Sequence, residues 1–264
     1  MSDALFSLIY KVLQYRVEVV RENLRNSFPE KSENQLIKIE IDFYHYFCDF
    51  LLQSVKNLTI SDQELRSRLH FDNLEVFEKF SNSAQSIIVV MGHFGNWELA
   101  GSRFGLEKLH QSFVIYKPQK NKHFDSLFRR MRTRTGNALY TMKGTLRGMI
   151  RDKGIMSATV FIADQSSSFK NAFKMNFLGQ ETRVSTGVGT IASKLNYPVV
   201  YASVNRVARG SYRIHLEVLE EALADKLASE ISSVFMQRLE RDIKLKPETW
   251  LWTHRRWKHT RKRK

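Results

Sequence analysis

The chain is short of several things, and each shortage excludes a class of protein. It has one cysteine in 264 residues, so Cys48 cannot close an intramolecular bridge. A disulfide scaffold is excluded, and a reducing compartment fits this usage. Four prolines and twelve glycines are too few for a collagen-like or low-complexity chain. No run reaches the roughly 18–20 consecutive apolar residues that cross a bilayer. The nearest approach, ALFSLIYKVLQYRVEVV at residues 4–20, is interrupted by Lys11 and Arg16 and lacks the small-residue cleavage site of a signal peptide. Acidic residues are scarce beside basic ones, 27 against 42. What is present is a chain that is 42% hydrophobic, enough for one domain, or one with a small appendage, around a sizeable core.

The formal net charge of +15 is unevenly placed. Residues 117–153 hold eleven basic and two acidic side chains, a net +9, and residues 255–264 hold seven basic and no acidic ones. The rest of the chain is close to neutral. A concentrated positive patch attracts a polyanion: nucleic acid, an anionic membrane surface, a phosphorylated substrate or an acidic protein. In the tail, HRRWKHTRKRK, Trp257 is interleaved with cations, a pattern suited to the headgroup level of a membrane. The same tail would serve a nucleic-acid-binding protein.

Periodicity divides the chain. Leu5, Phe6, Ile9, Leu13, Val17 and Val20 recur at helical spacing and predict one amphipathic helix. Such a helix packs on its own domain, lies on a membrane surface, or is the trimmed end of an anchor. A second helix is predicted over residues 33–57. Continuous apolar runs then predict buried strands at 86–92 (SIIVVMG), 113–116, 158–163 and 199–204, and alternation predicts a half-covered strand at 212–220. Helical patterns fall between them at 97–108, 122–135, 144–153 and 185–195, with a last helix at 226–245. Strands alternating with helices give an α/β fold, a mainly parallel central sheet flanked by helices, after an α-helical N-terminal portion. The division is residues 1–60 and 61–264, together one structural unit.

Chemistry in such a sheet sits in loops at the carboxyl ends of strands. The first of these loops reads HFGNWE, residues 93–98. Gly92 and Gly95 permit a tight turn, and Asn96 is placed to cap the next helix. His93 stands at the mouth of the sheet and Glu98 in the first helical turn, so a carboxylate would hold one ring nitrogen and leave the other to accept a proton. The plainer alternative is a structural histidine beside an acid that favours the helix N-terminus. The spacing is not HExxH, and no cysteine pair or second histidine lies near, so a metal site is not indicated.

HFGNWE resembles the His-x4-acid signature of glycerolipid acyltransferases, in the form found in the bacterial lipid A biosynthesis (lauroyl/myristoyl) acyltransferase family. Further motifs resembling that family follow in order. They are RENLRNSFP at 21–29; Tyr116-Lys117-Pro118 with Asn121 and Asp125; Asp164-Gln165; FLGQET at 177–182 with Thr186-Gly187; and PETWLWTHRRWK at 247–258. Lys117 stands where the family has arginine, keeping charge but losing the bidentate fork, and Glu181 replaces a small residue.

The resemblance implies a glycerolipid acyltransferase-like fold. It also implies transfer of a fatty acyl chain from an acyl-carrier-protein or coenzyme A thioester to a hydroxyl of a lipid A precursor or related phosphorylated lipid. No cofactor is implied, and the place of action would be an anionic membrane surface, the cytoplasmic face of the bacterial inner membrane. His93 would be the general base, with Glu98 fixing its tautomer. No serine or cysteine nucleophile motif is visible, so transfer would be direct. Arg132 would face the developing oxyanion or grip an acceptor phosphate, and Asp164 would hold Arg132 or cap the next loop. Phe94, Gly95, Asn96, Trp97, Tyr116, Lys117, Gln165, Thr186 and Gly187 would bind substrate, Trp97 lining an acyl channel or merely filling core. A different lipid acceptor, a phospholipid or aminolipid, is the near alternative. A nucleic-acid binder is the distant one, and it leaves the motif series without a purpose.

Overall fold

A computed structural model describes residues 1–167, 172–221, 223 and 226–259; of the basic tail, residues 260–264 lie outside these. Helix α1 (Ser2–Phe6) runs into a π-helical stretch (Ser7–Val12), and a break precedes α2 (Val17–Ser27). The single amphipathic helix expected here is thus interrupted. Gln14 and Arg16 take positive φ values of 45° and 56°. Tertiary bonds hold the kink: Arg16 Nη1 donates to the Thr253 carbonyl at 2.9 Å, and Tyr44 donates to the Tyr15 carbonyl at 2.6 Å. Phe6, Val17 and Val20 remain buried, whereas Leu13 is exposed.

Helix α3 (Glu33–Lys56) starts at a capping box, Ser32 with Gln35, and buries Leu36, Phe43, Tyr44, Phe47 and Phe50 along one face. It is followed by α4 (Asp62–Arg68), β1 (Leu69–Phe71) and α5 (Glu75–Asn82), three short elements that sequence periodicity did not reveal. The layered part runs β2 (Ile87–Met91), α6 (Trp97–Gly105), β3 (Gln111–Tyr116), α7 (Lys122–Thr133), β4 (Ala138–Thr141), α8 (Thr145–Arg151) and β5 (Ser157–Ile162), alternating as expected except that β4 is an added strand. Next come β6 (Ala172–Phe177) and β7 (Gln180–Ser185), then α9 (Gly187–Leu195), β8 (Val199–Ala208), β9 (Ser211–Glu220) and α10 (Ala228–Leu245).

Among the described residues, seven strands form one sheet in the order β1-β9-β8-β2-β5-β3-β4, parallel except where β8 meets β9. β6 and β7 make a separate antiparallel hairpin, whose turn residues Leu178 and Gly179 both have positive φ, as a tight two-residue hairpin turn requires. β2 lies in the middle of the large sheet and every one of its residues is buried. That is why its sequence is a continuous apolar run rather than an alternation. One connected apolar core takes in Phe6, the β2 side chains, Phe235 of α10, and Trp250, Trp252 and Trp257.

Candidate active site

The parallel pairing of β2 with β5 sets the centre of the site. Ile87 is level with Ala158 and Met91 with Ile162, so residues 71 apart stand side by side. Continued past the strand ends, where the Ala163 N–H still donates to the Met91 carbonyl at 3.1 Å, the register delivers His93 beside Asp164. His93 Nδ1 lies 2.5 Å from Asp164 Oδ1. The second oxygen, Oδ2, accepts from the Trp250 indole N–H at 2.8 Å. Asp164 is 2% exposed. Burial by itself would raise its carboxyl. The positive charge available on His93, with hydrogen bonds from the imidazole and the indole, outweighs this and brings it down to about 2.

With an ionised carboxylate on Nδ1, the neutral ring carries its proton there and presents a lone pair at Nε2. That nitrogen accepts from the Gln165 side-chain amide at 3.3 Å. The ring is braced by Trp97, edge-on at 5.0 Å between centroids.

The loop bearing His93 is held from both sides. The C-terminal segment pairs with it like a strand: Gly95 N–H donates to the Thr249 carbonyl at 3.0 Å, Leu251 N–H to the His93 carbonyl at 3.1 Å, and Phe94 bridges Trp250. From α3, the Tyr46 hydroxyl donates to the Gly95 carbonyl at 2.5 Å. Gly95 has φ +58°, and a Cβ there would lie 1.8 Å from the Val204 carbonyl oxygen of β8, so conformation and close approach both demand glycine. Asn96 caps α6 through Leu99 N–H at 3.1 Å and donates to Gln53 at 2.8 Å.

Glu98, one residue beyond Trp97, makes a bidentate pair with Arg132 in the last turn of α7: Nε to Oε2 at 3.2 Å and Nη2 to Oε1 at 2.6 Å. This corrects the expected pairing. Glu98 does not hold the imidazole and Asp164 does not hold Arg132; the two carboxylates have exchanged partners. The sheet register brings Asp164 to His93, while Glu98, on the second residue of α6, is turned toward α7. Arg132 also lies 5.8 Å from the Phe128 ring centroid.

The other residues expected at the site fall into two groups. Phe94, Asn96 and Trp97 are buried; Phe94 and Asn96 are bonded into the scaffold, and Trp97 packs 4.1 Å from the Phe50 ring. Tyr116, also buried, ends β3, with Arg129 6.0 Å from its ring. Gln165 and Lys117 are exposed on the rim of the sheet. Thr186 and Gly187 open α9 after the hairpin.

Sequence reasoning missed residues from the C-terminal segment. Trp250 donates to Asp164, as described. Arg256, within the basic run at 255–264, is not on the surface: it is 1% exposed. Its Nη1 donates to Thr182 Oγ1 at 2.7 Å and to the Arg183 carbonyl at 3.0 Å, tying the β6–β7 hairpin down. Nε and Nη2 have no hydrogen-bond partner among the described residues. Burial lowers this guanidinium to about 10, against the pull of Asp164.

Trp257, expected at headgroup level, is also core, stacked on Phe177 with 6.5 Å between centroids. His254 is lowered to about 4, first by burial and then by His93, Arg256 and Lys258, with Asp164 opposing. The signal for all four lay in PETWLWTHRRWK, whose tryptophans are too many for a solvated tail.

The family model described as bacterial lipid A biosynthesis acyltransferase matches residues 2–259. The chain is similar to the lipid A biosynthesis palmitoleoyltransferase of Escherichia coli (strain K12), 23% identical over 248 residues, covering 93% of this chain and 80% of the relative. It is similar also to the lipid A biosynthesis lauroyltransferase of the same organism, 22% identical over 253 residues, covering 95% and 82%.

Proposed function

The chain belongs to the bacterial lipid A biosynthesis acyltransferase family, and from that premise we propose direct transfer of a fatty acyl group from an acyl-carrier-protein or coenzyme A thioester to a hydroxyl of a lipid A precursor. The observation that carries the mechanism is the His93–Asp164 pair at 2.5 Å, with Nε2 turned outward to an exposed, displaceable glutamine. A hydroxyl is a weak nucleophile until its proton is removed as the new bond forms. The acceptor hydroxyl takes the place of the Gln165 amide and gives its proton to Nε2 while its oxygen bonds the thioester carbonyl carbon. Asp164 stabilises the imidazolium. Collapse of the tetrahedral intermediate breaks the C–S bond, and the imidazolium returns the proton to the leaving thiolate. The products are an ester and a free thiol, with no acyl-enzyme.

Arg132 is the electrophilic partner. Glu98 engages its Nε and Nη2 and fixes the plane of the guanidinium. Nη1, which Glu98 does not engage, is left for the developing oxyanion or an acceptor phosphate. Among the described residues no helix is long and apolar enough to cross a membrane. The basic segment at 117–153 supports the cytoplasmic face of the inner membrane as the place of action.

The test is a purified, detergent- or vesicle-supported protein given each thioester with a phosphorylated glycolipid acceptor. The acceptor should gain the mass of one acyl chain as free thiol appears, and H93A should do neither. No thiol release from either donor, with glycolipid or phospholipid acceptors alike, rejects the reading.

A further inference from the structure

The helix that supplies Arg132 is two-faced. Phe124, Leu127 and Phe128 of α7, three and four residues apart and so on one side, are 58%, 43% and 38% exposed. Met131, one turn on, is buried. The stripe therefore runs from solvent into the core at the point where Arg132 meets Glu98. The opposite face carries Lys122, Ser126, Arg129 and Arg130 and borders an open cleft of about 470 Å³. Met142, half exposed, follows β4, its N–H bonded to the Tyr116 carbonyl at the end of β3 at 2.9 Å. Lys117 and Lys120, in the segment leading into α7, and Lys143, just after β4, are exposed. Among the described residues no carboxylate is within ion-pair distance of Lys120, Lys122, Arg130 or Lys143.

The stripe is too small to seat a protein. Three aromatic or aliphatic side chains at about half exposure offer roughly 300 Å², whereas a stable protein interface takes about 800 Å² per partner. A bilayer demands no such area and no shape complementarity. A short helix with bulky apolar residues on one face and cations on the other lies in the interface plane of an anionic membrane.

We propose that α7 is the membrane-insertion element of this protein: Phe124 and Leu127 enter the acyl region of an anionic bilayer, and the surrounding lysines engage headgroup phosphates. The proposal rests on the lipid-acyltransferase reading for its purpose but not for its test. Its consequence is geometric. The apolar stripe links the bilayer to the Glu98–Arg132 pair, so an acyl chain reaches the site along Phe128 without crossing water.

Cys48 is the chain's single cysteine and is fully buried, so an introduced cysteine can be labelled alone. An environment-sensitive fluorophore is placed at F124C, and in a second protein at S126C on the opposite face. Each is mixed with vesicles of phosphatidylglycerol and phosphatidylethanolamine, without acyl donor. The label at position 124 should shift to the blue, brighten several-fold and be quenched by lipids brominated in their acyl chains; the label at 126 should do none of these. The double variant F124S/L127S, with wild-type circular dichroism and thermal unfolding, should bind the vesicles about tenfold more weakly. A label at 124 that stays in water on vesicle-bound protein overturns the proposal. So does a double variant with unchanged binding, or shielding of position 124 by a concentration-dependent dimer in place of vesicles. Insertion without thioester turnover would reject the function and leave the insertion standing, and turnover without insertion would do the reverse.

Discussion

Asp164 lies 2.5 Å from Nδ1 of His93 although 71 residues separate them, while Glu98, in the same hexapeptide as His93, gives both oxygens to Arg132. The two carboxylates serve two different groups, an imidazole and a guanidinium. In the proposed mechanism their tasks are separable: one fixes the tautomer of the base, and the other aims a guanidinium.

That separation predicts the pattern of a double-mutant cycle. H93A and D164N should each lower kcat by roughly 10³–10⁴-fold, and the double variant should be little worse than either, because the residues act as a unit. E98Q should cost less than H93A, and E98Q with R132A should again be non-additive. Across the pairs, D164N with E98Q should approach additivity. Strong non-additivity between Asp164 and Glu98, measured by thiol release, would mean that the pairs are not independent.

Arg132 should matter to the chemical step. If Nη1 faces the oxyanion, R132A lowers kcat and kcat/KM together, on the order of 10²–10³-fold. R132K should recover little, because an ammonium cannot make the two parallel bonds to Glu98. A rise in KM at unchanged kcat would assign Arg132 to the acceptor phosphate instead.

Acid should destabilise the fold in two stages of the same sign. His254 is held down from 6.5 to about 4, so between those values the unfolded chain takes up a proton that the folded one refuses, and stability falls as pH falls. Asp164 is at about 2 in the folded protein against 3.8 ordinarily. Its ionised form therefore contributes stability that is complete above about 4 and lost as pH falls toward 2. The first stage amounts to roughly 3 kcal/mol at most. Urea unfolding at stepped pH measures both, and H254Q should abolish the first stage while leaving the second.

Gly95 should tolerate no side chain. G95A meets a positive φ and the Val204 carbonyl at once, which should cost about 3 kcal/mol or more, or abolish folding. G101A is the control: a Cβ there meets nothing within 4 Å, and inside α6 the change should be neutral or slightly stabilising. Thermal unfolding of the two variants decides the point.

Much of this molecule is local in origin. The unbroken apolar run of β2, the helical spacing of α3, α6 and α7, and the alternation of β9 are written in neighbouring residues, as are the turn at Gly95 and the cap at Asn96. For this reason the α/β layering and the position of His93 at a strand's carboxyl end were legible. Short elements were not: β1, β4, α4 and α5 carry too few residues to show a period, and the sheet and its flanking layers supply the order that their sequences do not.

Which groups meet was decided by tertiary structure alone. A strand's sequence does not say which strand lies beside it, so the register that sets Asp164 against His93 could not be read, and proximity in the chain favoured Glu98 wrongly. Local charge misled in the same way at the C-terminus. Arg256 and Trp257 sit in a basic run that reads as solvated, yet the segment crosses back over the His93 loop and buries both. Sequence fixes what an element is, through interactions a few residues apart; the meeting of elements depends on burial and register summed over the whole chain.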